Sequence, residues 1–176
     1  MIGHVTLTAV DPKQGNMRFV RADLGTGAGL DLIDGLSIFK PPYARVTAID
    51  MNQGTQRWMA PLGNGPRNHP LLKDLKLPPL GDRMQNVGVL LTRTLLFVSV
   101  IPQGAMPGSD PDVPRKLVYI FDKDSGALLR ALDTDGFSAA SPMTYSYRGK
   151  QYVAFATGSG PNSDIVAFSL PAAAGR

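Results

Sequence analysis

The stretch that decides the fold opens Phe39-Lys40-Pro41-Pro42-Tyr43 and runs on as Val46-Thr47-Ala48-Ile49-Asp50. A polar turn through Asn52-Gln53-Gly54 follows, then Gln56-Arg57-Trp58-Met59-Ala60, then an excursion carrying Arg67-Asn68-His69-Pro70 and Leu77-Pro78-Pro79-Leu80. The stretch closes on Leu90-Leu91-Thr92-Arg93-Thr94-Leu95-Leu96-Phe97, two apolar runs around a short polar turn. Short runs rich in Val, Ile and aromatic residues, bounded by Gly, Pro, Asn and Asp, are strands joined by turns. Strand, polar glycine turn, strand with an aromatic, Pro-rich excursion and another strand pair is the order of a β-propeller blade.

Working outward, residues 5–10 and 17–21 alternate apolar and polar around Asp11-Pro12-Lys13-Gln14-Gly15. There Pro fixes φ early in the turn and Gly can take φ > 0, so residues 5–21 are expected to form a hairpin. Residues 22–44 are Gly-rich and then Pro-rich, and are expected to be a long surface loop. With strands 46–50 and 56–60 the hairpin makes one antiparallel blade of four strands. A second blade is expected from strands 87–91, 95–100, 116–121 and 127–132, with a Pro-rich excursion over 101–115. A third follows from 141–147, the turn Arg148-Gly149, 151–156 and 164–170, and it lacks its outer strand. The expected fold is therefore all-β: one partial propeller segment over 1–176, a little under three blades, in units of about 4–61, 86–132 and 139–170. The one helical turn is expected near residues 71–75.

The repeat is clearest between Ala48-Ile49-Asp50-Met51-Asn52-Gln53-Gly54 and Ile120-Phe121-Asp122-Lys123-Asp124-Ser125-Gly126. Both put Asp at a strand end, where its carboxylate accepts N–H groups of the turn, and Gly four residues later for a left-handed position. Trp58 follows the first turn on the outer strand; the second copy carries Arg130 there.

Composition narrows the function classes. Hydrophobic residues make up 43% of the chain, enough for a packed core, while 19 Gly and 15 Pro favour short strands and turns over helices. The net charge is +4, but Lys and Arg are dispersed rather than gathered beside aromatics, so no nucleic-acid partner is expected. Cys is absent, which removes disulfides and thiolate metal sites. His4 and His69 are the only histidines, too few for a His-based metal site or a catalytic triad. Gly63-Asn64-Gly65 has no Lys-Ser/Thr after it and is no phosphate loop. No apolar run approaches the roughly twenty residues of a membrane helix. The first ten residues lack the basic and continuous apolar parts of a signal peptide. They resemble the middle of a strand, as expected of a fragment or a truncated reading frame.

Phe39-Lys40-Pro41-Pro42-Tyr43, Asp50-Met51-Asn52-Gln53-Gly54 with Trp58, Arg67-Asn68-His69-Pro70, Leu90 to Phe97 and Ser141-Pro142-Met143-Thr144-Tyr145 together resemble the C-terminal part of a PQQ-dependent quinoprotein dehydrogenase of the glucose/alcohol dehydrogenase-like kind. The resemblance covers nearly the whole chain, most specifically residues 39–97 and 139–170. It implies an eight-bladed propeller with pyrroloquinoline quinone on the channel axis, oxidising a small alcohol or sugar by hydride transfer in the periplasm. It also implies that Trp58 is wedged between blades with its indole N–H on a backbone carbonyl, and that Tyr145 and Tyr152 pack between blades.

The resemblance places the general base, the basic residue beside the quinone and the familiar metal-binding carboxylates upstream of Met1. No catalytic or metal-ligating residue is therefore assigned here, and Ca or Mg in the complete enzyme would take its ligands elsewhere. Asp50 and Asp122 are turn residues. The expected contribution is cofactor wall: His4, Asn86 and Gly88 at the entries to innermost strands, and Gly158, Gly160 and Asn162 in a Gly-rich loop whose backbone N–H groups suit anionic carboxylates. His4 stands where relatives carry Asn, although imidazole still offers a donor or an acceptor. The competing expectation makes all six ordinary turn residues. The chain is thus expected to be inactive alone, or else a non-catalytic propeller scaffold. Self-association is expected through the open edge at 164–170, beside Ile165, Val166 and Phe168.

Overall fold

The computed structural model describes residues 4–10, 17–23, 31–33, 36–37, 40–82, 84–102, 108–110, 118–132, 141–157 and 163–169. Among them helix is confined to one 3-10 turn, Lys73–Leu75, inside the expected 71–75 segment. Everything else regular is antiparallel sheet. The first sheet orders β1 (His4–Val10), β2 (Met17–Asp23), β5 (Ala44–Asp50) and β6 (Thr55–Pro61) side by side as β1-β2-β5-β6. The second runs β7 (Met84–Leu91), β8 (Leu95–Pro102), β9 (Val118–Asp122) and β10 (Leu128–Leu132) in chain order. The third holds three strands, β11 (Met143–Tyr147), β12 (Lys150–Thr157) and β13 (Asp164–Ser169), so β13 is an edge. Three successive meandering sheets of this kind are a partial β-propeller.

Period-two patterning decides which face meets which sheet. On β5, Ala44, Val46, Ala48 and Asp50 are buried while the residues between them are half-buried. The apolar three pack with Ala60 and Leu62 against Leu96, Val98, Val100, Tyr119 and Phe121 of the second sheet. The opposite face of that sheet presents Phe97 and Val118, which close over Phe155 of the third. The middle sheet is thus apolar on both faces, as a layer sandwiched between two others must be. Its Ser99 is fully buried, and the hydroxyl donates to the Gly88 carbonyl at 3.3 Å, so its polar atom is satisfied within the sheet.

The excursion between β6 and β7 is held by its own backbone. Leu80 N, Gly81 N and Asp82 N donate to the carbonyls of Asn64, Gly63 and Leu62, a short ladder that ties its two ends. The Asp82 carboxylate accepts Gly65 N–H at 2.7 Å and fills the space where a Cβ on Gly63 would collide with it. His69 is buried as a packing residue of this loop, with Nδ1 accepting Leu71 N–H at 3.2 Å.

Two expectations need correction. Within 22–44 the chain is not loop throughout: β3 (Asp31–Ile33) pairs with β4 (Leu36–Ser37). Tyr145 and Tyr152 do not pack between the sheets of this chain. They are cross-strand partners that stack on each other, 5.2 Å between centroids and 8° between planes, and Tyr145 stays exposed.

Candidate functional site

The first strand of each four-stranded sheet lies at an edge of it, and β1 and β7 approach each other within 8 Å between Cα atoms. Two sequence-expected residues lie on these two strands. His4 opens β1, opposite Asp23 of β2. Asn86 lies in β7 where the register slips: Gln85 pairs with Ile101 and Val87 with Val100, leaving Asn86 as the extra residue of a bulge. A bulge bends and twists its strand and re-aims a side chain, and bulges are over-represented next to active sites. β1 carries its own irregularity between Leu7 and Ala9. Sequence reading named Asn86 but gave no sign of the bulge, because one surplus residue in a strand leaves the alternation nearly intact.

Gly88 lies two residues beyond Asn86, buried, with its carbonyl engaged by Ser99. That engagement ties it to the sheet interior. Gly158, Gly160 and Asn162 lie outside the described residues, between the end of β12 and the start of β13. No group of three or more His, Asp or Glu able to hold a metal ion occurs among the described residues. The wall expected for a quinone cofactor falls on β1 and β7, two neighbouring edge strands that are each irregular in register.

The second constellation joins the first two sheets. Trp58 on β6 donates its indole N–H to the Lys123 carbonyl at 3.0 Å and stacks on Phe121, 6.4 Å between centroids. The ring covers Gly126, where any Cβ would collide with the indole. The turn beneath is prepared by Asp122, whose Oδ1 accepts Asp124 N–H at 3.2 Å, Ser125 N–H at 2.8 Å and the Ser125 hydroxyl at 2.7 Å. The Ser125 hydroxyl, followed by the backbone N–H groups, holds the Asp122 carboxyl below its usual range. Asp50 does the same work in the first turn for Asn52 and Gln53. Both aspartates serve turns, and Trp58 occupies its expected place.

A cavity of about 660 Å³ lies away from the β1/β7 rim. Its walls are the prolines 42, 61, 78 and 79 with Tyr119 and Leu128, and Asp82 and Asp110 stand at it. It faces β6, β9 and β10, the outer part of the sheets, and its carboxylates oppose an anionic ligand. Sequence reading missed it, since only the rigidity of Pro41-Pro42 and Pro78-Pro79 hinted at fixed walls there.

The family model described as "Glucose/ethanol/alcohol dehydrogenase, beta-propeller domain", of the PQQ kind, matches residues 6–153. Two glycerol dehydrogenase large subunits are similar to the chain over 149 residues: that of Gluconobacter thailandicus at 30% identity and that of Gluconobacter oxydans (strain 621H) at 28%. Each alignment takes in 80% of this chain and 18% of the relative, so the chain spans under a fifth of the length of those proteins. The match over residues 6–153, the three antiparallel sheets and the indole clasp between the first two agree, and the chain belongs to the PQQ-dependent dehydrogenase β-propeller family.

Proposed function

We propose that this chain is the C-terminal propeller segment of a periplasmic PQQ-dependent dehydrogenase that oxidises a small alcohol, polyol or sugar. Its role there is to supply an arc of cofactor wall. The observation that carries the reading is the bulged Asn86 on β7 beside β1, two innermost strands meeting at one rim. The naming of both relatives as glycerol dehydrogenase large subunits favours a polyol among the substrate classes.

Pyrroloquinoline quinone, when bound, supplies the hydride acceptor, the part of the chemistry that amino-acid side chains do not provide. The share of this chain is orientation. His4 and Asn86 offer donors and acceptors from adjacent strands, and the Gly158, Gly160 and Asn162 loop offers backbone N–H groups to carboxylates. Gly88 is buried in β7 with its carbonyl accepting the Ser99 hydroxyl. The general base and any Ca or Mg ligands come from outside these residues.

The test uses the longer polypeptide that joins upstream blades to this chain. Asn86→Ala and His4→Ala are expected to weaken PQQ binding in equilibrium dialysis by about tenfold each, the scale of one hydrogen bond to a charged group. Unchanged PQQ affinity in both variants would remove the cofactor wall from this chain.

A further inference from the structure

Two Pro-rich excursions from different parts of the chain meet at the 660 Å³ cavity, and each delivers a carboxylate to it. Asp82 closes the first excursion. Its N–H donates to the Leu62 carbonyl, and its carboxylate accepts Gly65 N–H at 2.7 Å while lying against Gly63. Asp110 comes from the second, which docks on the first. Asn68 N–H donates to the Gly108 carbonyl at 2.9 Å, and Gly108 sits so close to His69 that a Cβ there would collide with it. His69 is buried, so this contact holds the neighbouring Ser109 and Asp110 at the cavity.

The remaining walls are apolar and stiff. Pro42, Pro61, Pro78 and Pro79 have fixed φ, and the backbone ladder at the ends of the first excursion keeps them apart. From the second sheet come Leu128 and the neighbouring rings of Tyr119 and Phe121, 6.4 Å between centroids and 17° between planes. The described residues at the cavity include no Lys, Arg or His. Its size suits a small organic molecule rather than a lone ion. Apolar walls disfavour a polyol, whose hydroxyls would go without partners, and the carboxylates repel an anion. An ammonium group on a compact apolar body answers all of these surfaces, because carboxylates and aromatic faces both attract the cation.

We infer that this cavity is a binding site for a small organic amine. The apolar body lies between the prolines and the Tyr119 and Phe121 rings, and the ammonium group lies at Asp82 and Asp110. The walls belong to both of the first two sheets, so a bound amine links β6 and the first excursion to β9 and β10. They lie away from β1 and β7, and binding there needs no quinone.

The probe is 1-adamantanemethylamine, titrated near neutral pH into the 15N-labelled 176-residue chain and followed by amide NMR. 1-Adamantanemethanol and 1-adamantanecarboxylate carry the same apolar body with a neutral and an anionic head. Saturable shifts are expected at Gly63, Gly65 and Gly126, which border the cavity, and none at Gly149 in the turn between β11 and β12. The amine is expected to bind about tenfold more tightly than the alcohol, the scale of one hydrogen bond to a charged group, and the carboxylate more weakly than either. Asp110→Asn keeps the side-chain shape and leaves one carboxylate, so it is expected to narrow that preference to about threefold with alcohol binding unchanged. The single Trp58 indole resonance staying in place shows that this variant remains folded, and the three-ligand comparison in the parent chain stands without it. No saturable shift at the three glycines, or shifts of equal size at Gly149, would overturn the inference. So would equal binding of amine and alcohol, carboxylate binding as tight as the amine, or an unchanged preference in folded Asp110→Asn.

Discussion

Removing the indole clasp and the glycine beneath it should show energetic coupling between the first two sheets. Trp58→Phe keeps an aromatic ring near Phe121 but loses the 3.0 Å bond to the Lys123 carbonyl, a cost of about 1 kcal/mol. Trp58→Ala also loses a half-buried ring, for a total of about 2–3 kcal/mol, below the range for fully buried aromatics. Gly126→Ala has two separate costs. A side chain at φ +74° is strained by about 1–2 kcal/mol wherever it occurs, and the new methyl must also displace the indole, about 1–3 kcal/mol more. With Trp58→Ala in place the second cost disappears and the first remains. The double variant should therefore be more stable than the sum of the single changes by about 1–2 kcal/mol, within the range for residues in contact. Urea denaturation of the four proteins, followed by far-UV circular dichroism at constant m, measures that difference. Additivity to within about 0.5 kcal/mol would refute the claim that the indole rests on Gly126.

Four further outcomes are expected. Ser125→Ala should raise the Asp122 pKa in a carbon-detected NMR titration, because the hydroxyl is the first cause of its depression. Since that pKa is lowered by folding, the associated stability is present above about pH 4 and fades as pH falls through the folded value; Asp122→Asn should flatten this acid limb. His69→Leu should lose the acceptor for Leu71 N–H at a cost of about 1–3 kcal/mol, with faster hydrogen exchange at Leu71 as the local signature. Ile165 is 71% exposed on the edge strand β13, so Ile165→Lys should lower the apparent mass of the isolated chain in light scattering at high concentration; unchanged mass would place any self-association elsewhere.

Most of the fold was legible because blade grammar is local. Alternation of Val, Ile and aromatics gave the strands, and Gly54, Gly126 and Gly149 at positive φ gave the turns between them. Trp58 could be placed because an indole in that position has few other ways to satisfy both its ring and its N–H. The candidate site was less legible for reasons that are equally physical. Asn86 was chosen from its place at a strand entry, but the bulge that sets it apart depends on the partner strand, which no local pattern records. Tyr145 and Tyr152 looked like inter-blade residues by type. Their cross-strand pairing puts them together on an exposed face, and only the neighbours present decide whether such a face is covered. The β3/β4 pair was overlooked because two to three residues per strand carry too little alternation.

PQQ binding tests the central claim most directly, comparing the purified 176-residue chain with a longer polypeptide that joins it to upstream blades. Isothermal titration of PQQ and dye-linked oxidation of glycerol, ethanol and glucose should be run on both. Tight binding and turnover are expected in the longer protein. Weak or no binding and no turnover are expected in the chain alone, where a few blades leave the rim open to water and the cofactor's carboxylates screened. Clear PQQ-dependent turnover by the 176-residue chain would contradict it, since the catalytic groups would then have to lie among these residues.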